Sequence, residues 1–370
     1  MVKVAVVMGK MDSGGKKNLV MEYYRHIDRK KIQFDFICDS DSNSIPCEEI
    51  ANLGGRVFIV HPYNRIFSNM RDIGKLLREN KYEIMHSYNS TMNVFPMLVA
   101  KLNKVPVRIS ESLSMAHEGD WRTVIKKILR PMSKLFATHY MACGKDCGRW
   151  QFGDKLFNSG KVDVFKTVIN TGYNAYDSSL REKTRKEYNW QDSIVIGHIG
   201  RFVPQKNTVR VIDIFSAVAA KEPRARLCLI GDGELKENVL ARIRELKLQD
   251  RVDYLGRRED IQQFYNAMDA FLLPSLYEGL PVVGLEAESC GLPMFFSTEV
   301  TTEANACELG RFISLSETDE FWADEILKTV YSSMPVRRSY SEEVAAAGFD
   351  SASEAKRLQE YYLDALNNVS

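Results

Sequence analysis

The sequence predicts an α/β protein of two Rossmann-like domains, each built on a parallel sheet covered on both faces. Three observations point there. Short apolar runs alternate with helix-spaced segments along the 370 residues. The alternation comes in two series, and turn-forming residues (Asn170, Thr171, Gly172, Asn174, Asp177) cluster between them. Buried parallel strands read as continuous apolar runs separated by crossover helices, and this length suits two ordinary cores rather than one.

In chain order, the first series predicts strands at Val4–Met8, Phe34–Cys38, Arg56–Val60, Ile84–Ser87, Val107–Ile109, His139–Ala142 and Lys166–Ile169. Helical spacing falls between them, for example at Asn18–Ile27 and Asn69–Glu79. The second series predicts strands at Ser193–Gly200, Ala225–Ile230, Val252–Tyr254, Ala270–Leu273 and Pro293–Phe296. In the tail, Ala355, Leu358, Tyr362 and Leu366 share one face, which predicts a docked helix. The expected division is a first Rossmann-like domain over 1–172, a second over 173–350, and a terminal helix within 351–370 packing back towards the first domain.

A net charge of +1 with 27% charged residues gives no global attraction to nucleic acid, so none is expected as a partner. Seven cysteines, at 38, 47, 143, 147, 228, 290 and 307, are odd in number and lack zinc spacing, which predicts thiols in a reducing compartment. The apolar run in Met1–Gly9 is too short for a signal peptide, and no segment reaches the roughly eighteen apolar residues of a spanning helix. The expected location is the cytoplasm, up to the inner face of the membrane.

The most informative stretch is Glu278–Gly279–Leu280–Pro281–Val282–Val283–Gly284–Leu285–Glu286. A predicted strand precedes it and Pro281 fits a first helical turn. The amides of Gly279 and Leu280 are then left at a helix start, where they attract an anion, and Glu286 can reach a hydroxyl of the same molecule. A phosphate held beside a polyol suggests a nucleotide sugar. The plainer reading is a surface loop and an amphipathic helix with one solvated Glu; the flanking strand, the prolines and a basic element elsewhere favour the site.

That basic element is Gly200–Arg201–Phe202–Val203–Pro204–Gln205–Lys206–Asn207, at the carboxyl end of a predicted strand, where open α/β sheets place ligands. Arg201 offers a fork and Lys206 a compact charge to one anion, unless both are merely solvated. In the first domain, Gly14–Gly15 follows the first strand without a full dinucleotide fingerprint. It is either a tight turn or a loop whose backbone approaches a phosphate across a cleft. Asp39–Ser40–Asp41 has a metal-type pattern but reads as a strand-end loop.

Gly-Arg-x4-Lys-Asn, then Ser-x-x-Glu-Gly-Leu-Pro-x4-Glu about seventy residues on, resembles glycosyltransferase family 4, the retaining nucleotide-sugar enzymes of GT-B fold, and especially the bacterial enzymes of capsular and exopolysaccharide assembly. Ile230–Gly231–Asp232–Gly233, Tyr254–Leu255–Gly256 and the Val168–Gly172 stretch extend the similarity over most of the chain, more weakly in the first domain. The resemblance implies two sheets facing across a cleft and transfer from a nucleotide-diphosphate donor, UDP-linked for preference, to a glycan or lipid-diphosphate-linked acceptor. It implies that Arg201 and Lys206 bind the diphosphate and that Glu286 binds the ribose. Glu278 would contact the sugar with the Gly279 and Leu280 amides, and Gly14 and Gly15 would close over the phosphates. With Arg and Lys supplying the positive charge, neither metal nor cofactor is expected. The family often carries a histidine at the end of a first-domain strand, near the donor sugar; here Glu111 stands there and could orient the acceptor instead, or the loop could bring His117 inward. His86, at another strand end, either faces the cleft or is structural.

From Trp121 to Phe136 the pattern is sharply amphipathic. Trp121, Val124, Ile125, Ile128, Leu129, Met132, Leu135 and Phe136 share one face, while Arg122, Lys126, Lys127, Arg130 and Lys134 share the other. The apolar face either packs on the first sheet or meets an anionic membrane, and Pro131 kinks or ends the helix. Two other functions fit the architecture. A nucleotide-sugar epimerase would isomerise the donor without acceptor. A non-catalytic nucleotide-sugar sensor is disfavoured by the joint presence of Arg201, Lys206, Glu278 and Glu286.

Overall fold

The computed structural model describes residues 1–12, 14–113, 122–333 and 337–368. The chain forms two units, Met1–Val168 with Ser351–Ser370, and Ile169–Asp350. Residues 169–172, assigned above to the first domain, fold with the second. Ile169 bridges Asp350, and Thr171 Oγ1 donates to the Asp350 carboxylate at 2.9 Å.

The first unit is a seven-stranded parallel sheet. Its strands are β1 (Val2–Gly9), β2 (Ile32–Asp39), β3 (Arg56–Val60), β4 (Ile84–Ser87), β5 (Val107–Ser112), β6 (His139–Ala142) and β7 (Val162–Val164), in the order β3-β2-β1-β4-β5-β6-β7. Val4 of β1 lies between Phe34 and Ile84. The β1 run is buried on both faces, which is why it reads as unbroken apolar sequence. One strand was misplaced: the last is Val162–Val164, not Lys166–Ile169. The apolar residues beyond it plug cores instead, Phe165 and Val168 in the first unit and Ile169 in the second. The helix Ser351–Asn367 lays Ala355, Leu358 and Tyr362 into the core shared with Tyr23, Tyr24 and Phe34.

The second unit has six parallel strands, β8 (Ile194–Ile199), β9 (Ala225–Ile230), β10 (Val252–Tyr254), β11 (Ala270–Leu273), β12 (Met294–Ser297) and β13 (Gly310–Ile313), in the order β10-β9-β8-β11-β12-β13. β13 escapes sequence reading because it is a four-residue edge strand with exposed Arg311 in its middle. In each sheet the strand order reverses beside the first strand of the series, at β1/β4 and at β8/β11. In open α/β sheets, ligands are placed outside the carboxyl ends of the strands at such a reversal.

Candidate functional site

The two sequence elements singled out in the second unit leave adjacent strands, β8 and β11, and the structure ties them together. The Leu276 amide donates to the Gln205 carbonyl at 2.8 Å, and Asn207 Nδ2 donates to the Pro274 carbonyl at 3.0 Å. Between those ties, Lys206 Nζ meets Glu278 Oε1 at 2.5 Å. Both side chains are largely shielded, 15% and 8% exposed. Ser275 Oγ donates to the same carboxylate oxygen at 2.9 Å and Gln205 Nε2 to the other at 3.3 Å. The expected diphosphate ligand and the expected sugar ligand are therefore partners of each other in this structure.

Gly231 sets the height of the Gly200–Arg201 loop. Its φ is +146°, and a Cβ there would lie 1.8 Å from the Gly200 carbonyl oxygen. Only glycine lets the end of β9 pass so close. Arg201 is exposed, and its side chain has no hydrogen bond or ion pair among the described residues. Under the loop, His198 is fully buried, with Nδ1 2.9 Å from the Leu272 carbonyl. That bond requires a proton on Nδ1 and leaves Nε2 as an acceptor. Burial, reinforced by the nearby Lys206 charge, pushes the imidazole down to about 4, so it is neutral at physiological pH.

After β11 the chain turns through Gly279 and Leu280, whose amides donate no hydrogen bond among the described residues. Pro281 is not in the first turn of the helix. Its ψ of 108° is extended, it precedes the helix, and the helix runs Val282–Ser289. The two amides thus sit just ahead of the helix start, still near its positive end. Glu286 Oε2 accepts from the Tyr265 hydroxyl at 2.8 Å. Two residues on, fully buried Glu288 has a different use, accepting the Ala306 and Cys307 amides at 3.0 and 2.6 Å.

Sequence reasoning missed Tyr265 and His198, because nothing local marks either one. Tyr265 lies in another helix, Ile261–Ala267, and His198 reads as one polar residue in an apolar strand.

In the first unit, Gly14 precedes the helix Gly15–His26 with φ +153°, and both glycines are exposed with nothing within 4 Å of a built Cβ. The next residue, Lys16, bends its ammonium back to the Met8 carbonyl and lies 3.3 Å from Asn89 Oδ1. Glu111 is turned inward. It is 2% exposed, with Oε2 2.9 Å from His86 Nε2. Alternation along β5 puts it on the face of Val107 and Ile109, towards the core. His86 is structural: fully buried, it bonds the Tyr362 hydroxyl at 2.7 Å and stacks on Tyr88. His117 lies outside the described residues. Asp39 accepts from Asn69 Nδ2 at 3.2 Å, and burial raises its carboxyl to about 6. No cluster of three or more metal-type side chains occurs among the described residues.

Residues 181–331 match the family model described as "Glycosyl transferases group 1", a span that contains Arg201, Lys206, Glu278 and Glu286. EpsF of Bacillus subtilis, named as a glycosyltransferase, is 30% identical over 97% of this chain and 96% of its own length. The chain belongs to the group 1 glycosyltransferases. This glycosyltransferase is also 25% identical, over 99% of its length and 98% of the other, to the Escherichia coli UDP-Gal:α-D-GlcNAc-diphosphoundecaprenol α-1,3-galactosyltransferase. Anabaena HepE, solved in complex with UDP-glucose, superposes with a TM-score of 0.77 at 17% identity, covering 98% of this chain and 99% of HepE. The glycosyltransferase therefore has the GT-B fold.

Proposed function

We propose that the chain transfers a sugar from a UDP-sugar to a lipid-diphosphate-linked glycan, with retention at the anomeric carbon. The observation that carries this is the Lys206–Glu278 pair set beside the open amides of Gly279 and Leu280 at the β8/β11 switch point. Cleaving the bond between the anomeric carbon and the phosphate oxygen builds negative charge on that oxygen and positive charge on the sugar. Lys206 and the two amides stabilise the first charge, Glu278 the second, and no reorganisation is needed at the moment of cleavage. Arg201, whose side chain has no partner among the described residues, swings onto the diphosphate when donor binds. Glu286, oriented by Tyr265, takes the ribose hydroxyls. The choice of UDP and of a diphospholipid acceptor draws support from the Escherichia coli relative, whose name contains both, and UDP also from the HepE complex.

The test is transfer from radiolabelled UDP-, GDP- and ADP-sugars to an undecaprenyl-diphosphate-linked sugar, with the product anomer read by NMR. Label reaching the lipid from a UDP-sugar alone, with unchanged anomeric configuration, is the expected result. Inverted product rejects retention. Donor isomerisation in the absence of acceptor makes the protein an epimerase instead.

A further inference from the structure

The element after β5 leaves much of its apolar row exposed. Helix Arg122–Leu129 continues into the 3-10 turn Arg130–Lys134, so Pro131 ends the α-helix. Along it Val124, Ile128, Met132 and Leu135 are 61%, 65%, 42% and 58% exposed. Facing inward, Ser133 is fully buried, Leu129 is half-buried, Phe136 packs against the core cluster that holds Val99 and Ala100, and Arg130 stands over the Trp150 ring, 5.6 Å from its centroid. Packing of this apolar row on the sheet, one of the two expectations from sequence, does not occur for the four exposed residues; Trp121 and the Ile125 side chain lie outside those described. The row continues past its own helix. Leu102, at the end of helix Val94–Leu102, is 72% exposed, and Lys101 Nζ lies 5.5 Å from the Phe136 ring centroid.

Four aliphatic side chains in one line are unlike the scattered apolar exposure of an ordinary surface. Lys127 and Lys134 are exposed beside them, and the sequence has no Asp or Glu from 121 through 145. A second copy of the chain docked here about a two-fold axis would set these lysines against each other. Phosphate head groups above a hydrocarbon layer match both features at once. We propose that this row is the docking surface for an anionic lipid bilayer. Val124, Ile128, Met132 and Leu135 enter the boundary between head groups and acyl chains, while Lys101, Lys127 and Lys134 face lipid phosphates. Its use, bringing the enzyme to a bilayer-held acceptor, rests on the reading of the acceptor above; the binding itself does not.

The experiment is co-flotation of the full chain with vesicles of phosphatidylcholine, with and without phosphatidylglycerol. The parent chain is expected to float only with the anionic vesicles and to be released by high salt. The double variants Ile128→Glu/Leu135→Glu and Lys127→Glu/Lys134→Glu should each lower the bound fraction about tenfold or more. Both should keep the thermal shift that UDP-sugars give the parent, since the changed side chains are exposed and lie in the other unit from the donor site. Failure of the parent to float, or flotation indifferent to Ile128→Glu/Leu135→Glu, overturns the proposal. A dimer that Ile128→Glu dissociates, without vesicle binding, reassigns the row to a second copy. A parent chain that floats but shows no UDP-sugar shift leaves the docking surface standing and removes the donor reading.

Discussion

Lys206 and Glu278, seventy-two residues apart in sequence, form one shielded ion pair at 2.5 Å. The pair ties together the loops that follow β8 and β11. On the reading proposed above, a diphosphate bound at Lys206 would compete with Glu278 for the ammonium, so the two side chains would act as a unit.

Lys206→Ala is expected to reduce kcat by about a hundredfold or more, the usual effect of removing one preorganised donor to a leaving oxyanion. Glu278→Gln should reduce it comparably, and the double variant should cost little more than either single one, because coupled residues are not additive. Steady-state kinetics on the three proteins checks this; strictly multiplicative losses would show two independent roles.

Glu286→Ala should abolish the thermal shift caused by UDP-sugars, since a carboxylate bonded to a ligand hydroxyl contributes roughly 1.5–3 kcal/mol. Tyr265→Phe, which removes only the 2.8 Å bond that orients the carboxylate, should weaken UDP binding by several-fold and leave kcat at saturation nearly unchanged. Calorimetric titration of UDP distinguishes them. Equal affinity in parent and Glu286→Ala removes Glu286 from the ribose role.

Gly231→Ala and Gly279→Ala should part company. The first drives a methyl into the Gly200 carbonyl at a φ that disfavours side chains, and should cost about 3 kcal/mol or more of stability. The second meets nothing within 4 Å, so its melting temperature should stay near that of the parent. Differential scanning calorimetry of both variants reads the contrast directly.

His198 makes a pH prediction with a definite sign. Its folded-state value near 4 lies below the ordinary 6.5, so the unfolded chain takes up the proton first as pH falls. Its contribution is whole above about pH 6.5 and fades towards pH 4, about 3 kcal/mol across the window. Asp39, raised to about 6, works the other way and weakens the fold as pH rises through that range. The useful readout is thus the difference between parent and His198→Asn, whose amide can replace the Nδ1 bond. Parent stability in urea should fall more steeply from pH 7 to pH 5 than that of the variant; parallel slopes would refute the assignment.

Much of this was legible in the sequence, for physical reasons particular to each element. Ala225–Ile230 and Ala270–Leu273 are central strands buried on both faces, so their apolar runs mark their own ends. Arg201, Lys206 and Glu278 stood out as candidates because turn chemistry and charge coincide in the loops after strands, and Glu286 because it follows Glu278 within the next helix. The direct pairing of Lys206 with Glu278 was not legible, since it depends on β8 and β11 being neighbours, a fact of topology rather than of local pattern. Glu111 misled in the other direction. A carboxylate at a strand end looks available to a ligand, and only the position of His86 across the sheet shows that it is spent inside the core.

The helix Ser351–Asn367 has a consequence for how the chain comes into being. Tyr362, fully buried against Phe34 and bonded to His86, completes a core begun by the first strands. A ribosome delivers Tyr362 only after the whole of the intervening unit, so the amino-terminal sheet must wait, uncapped, while that unit is synthesised. The second unit is therefore free to mature before the first, and a nascent chain stalled before Tyr362 would leave an aromatic wound for chaperones to cover.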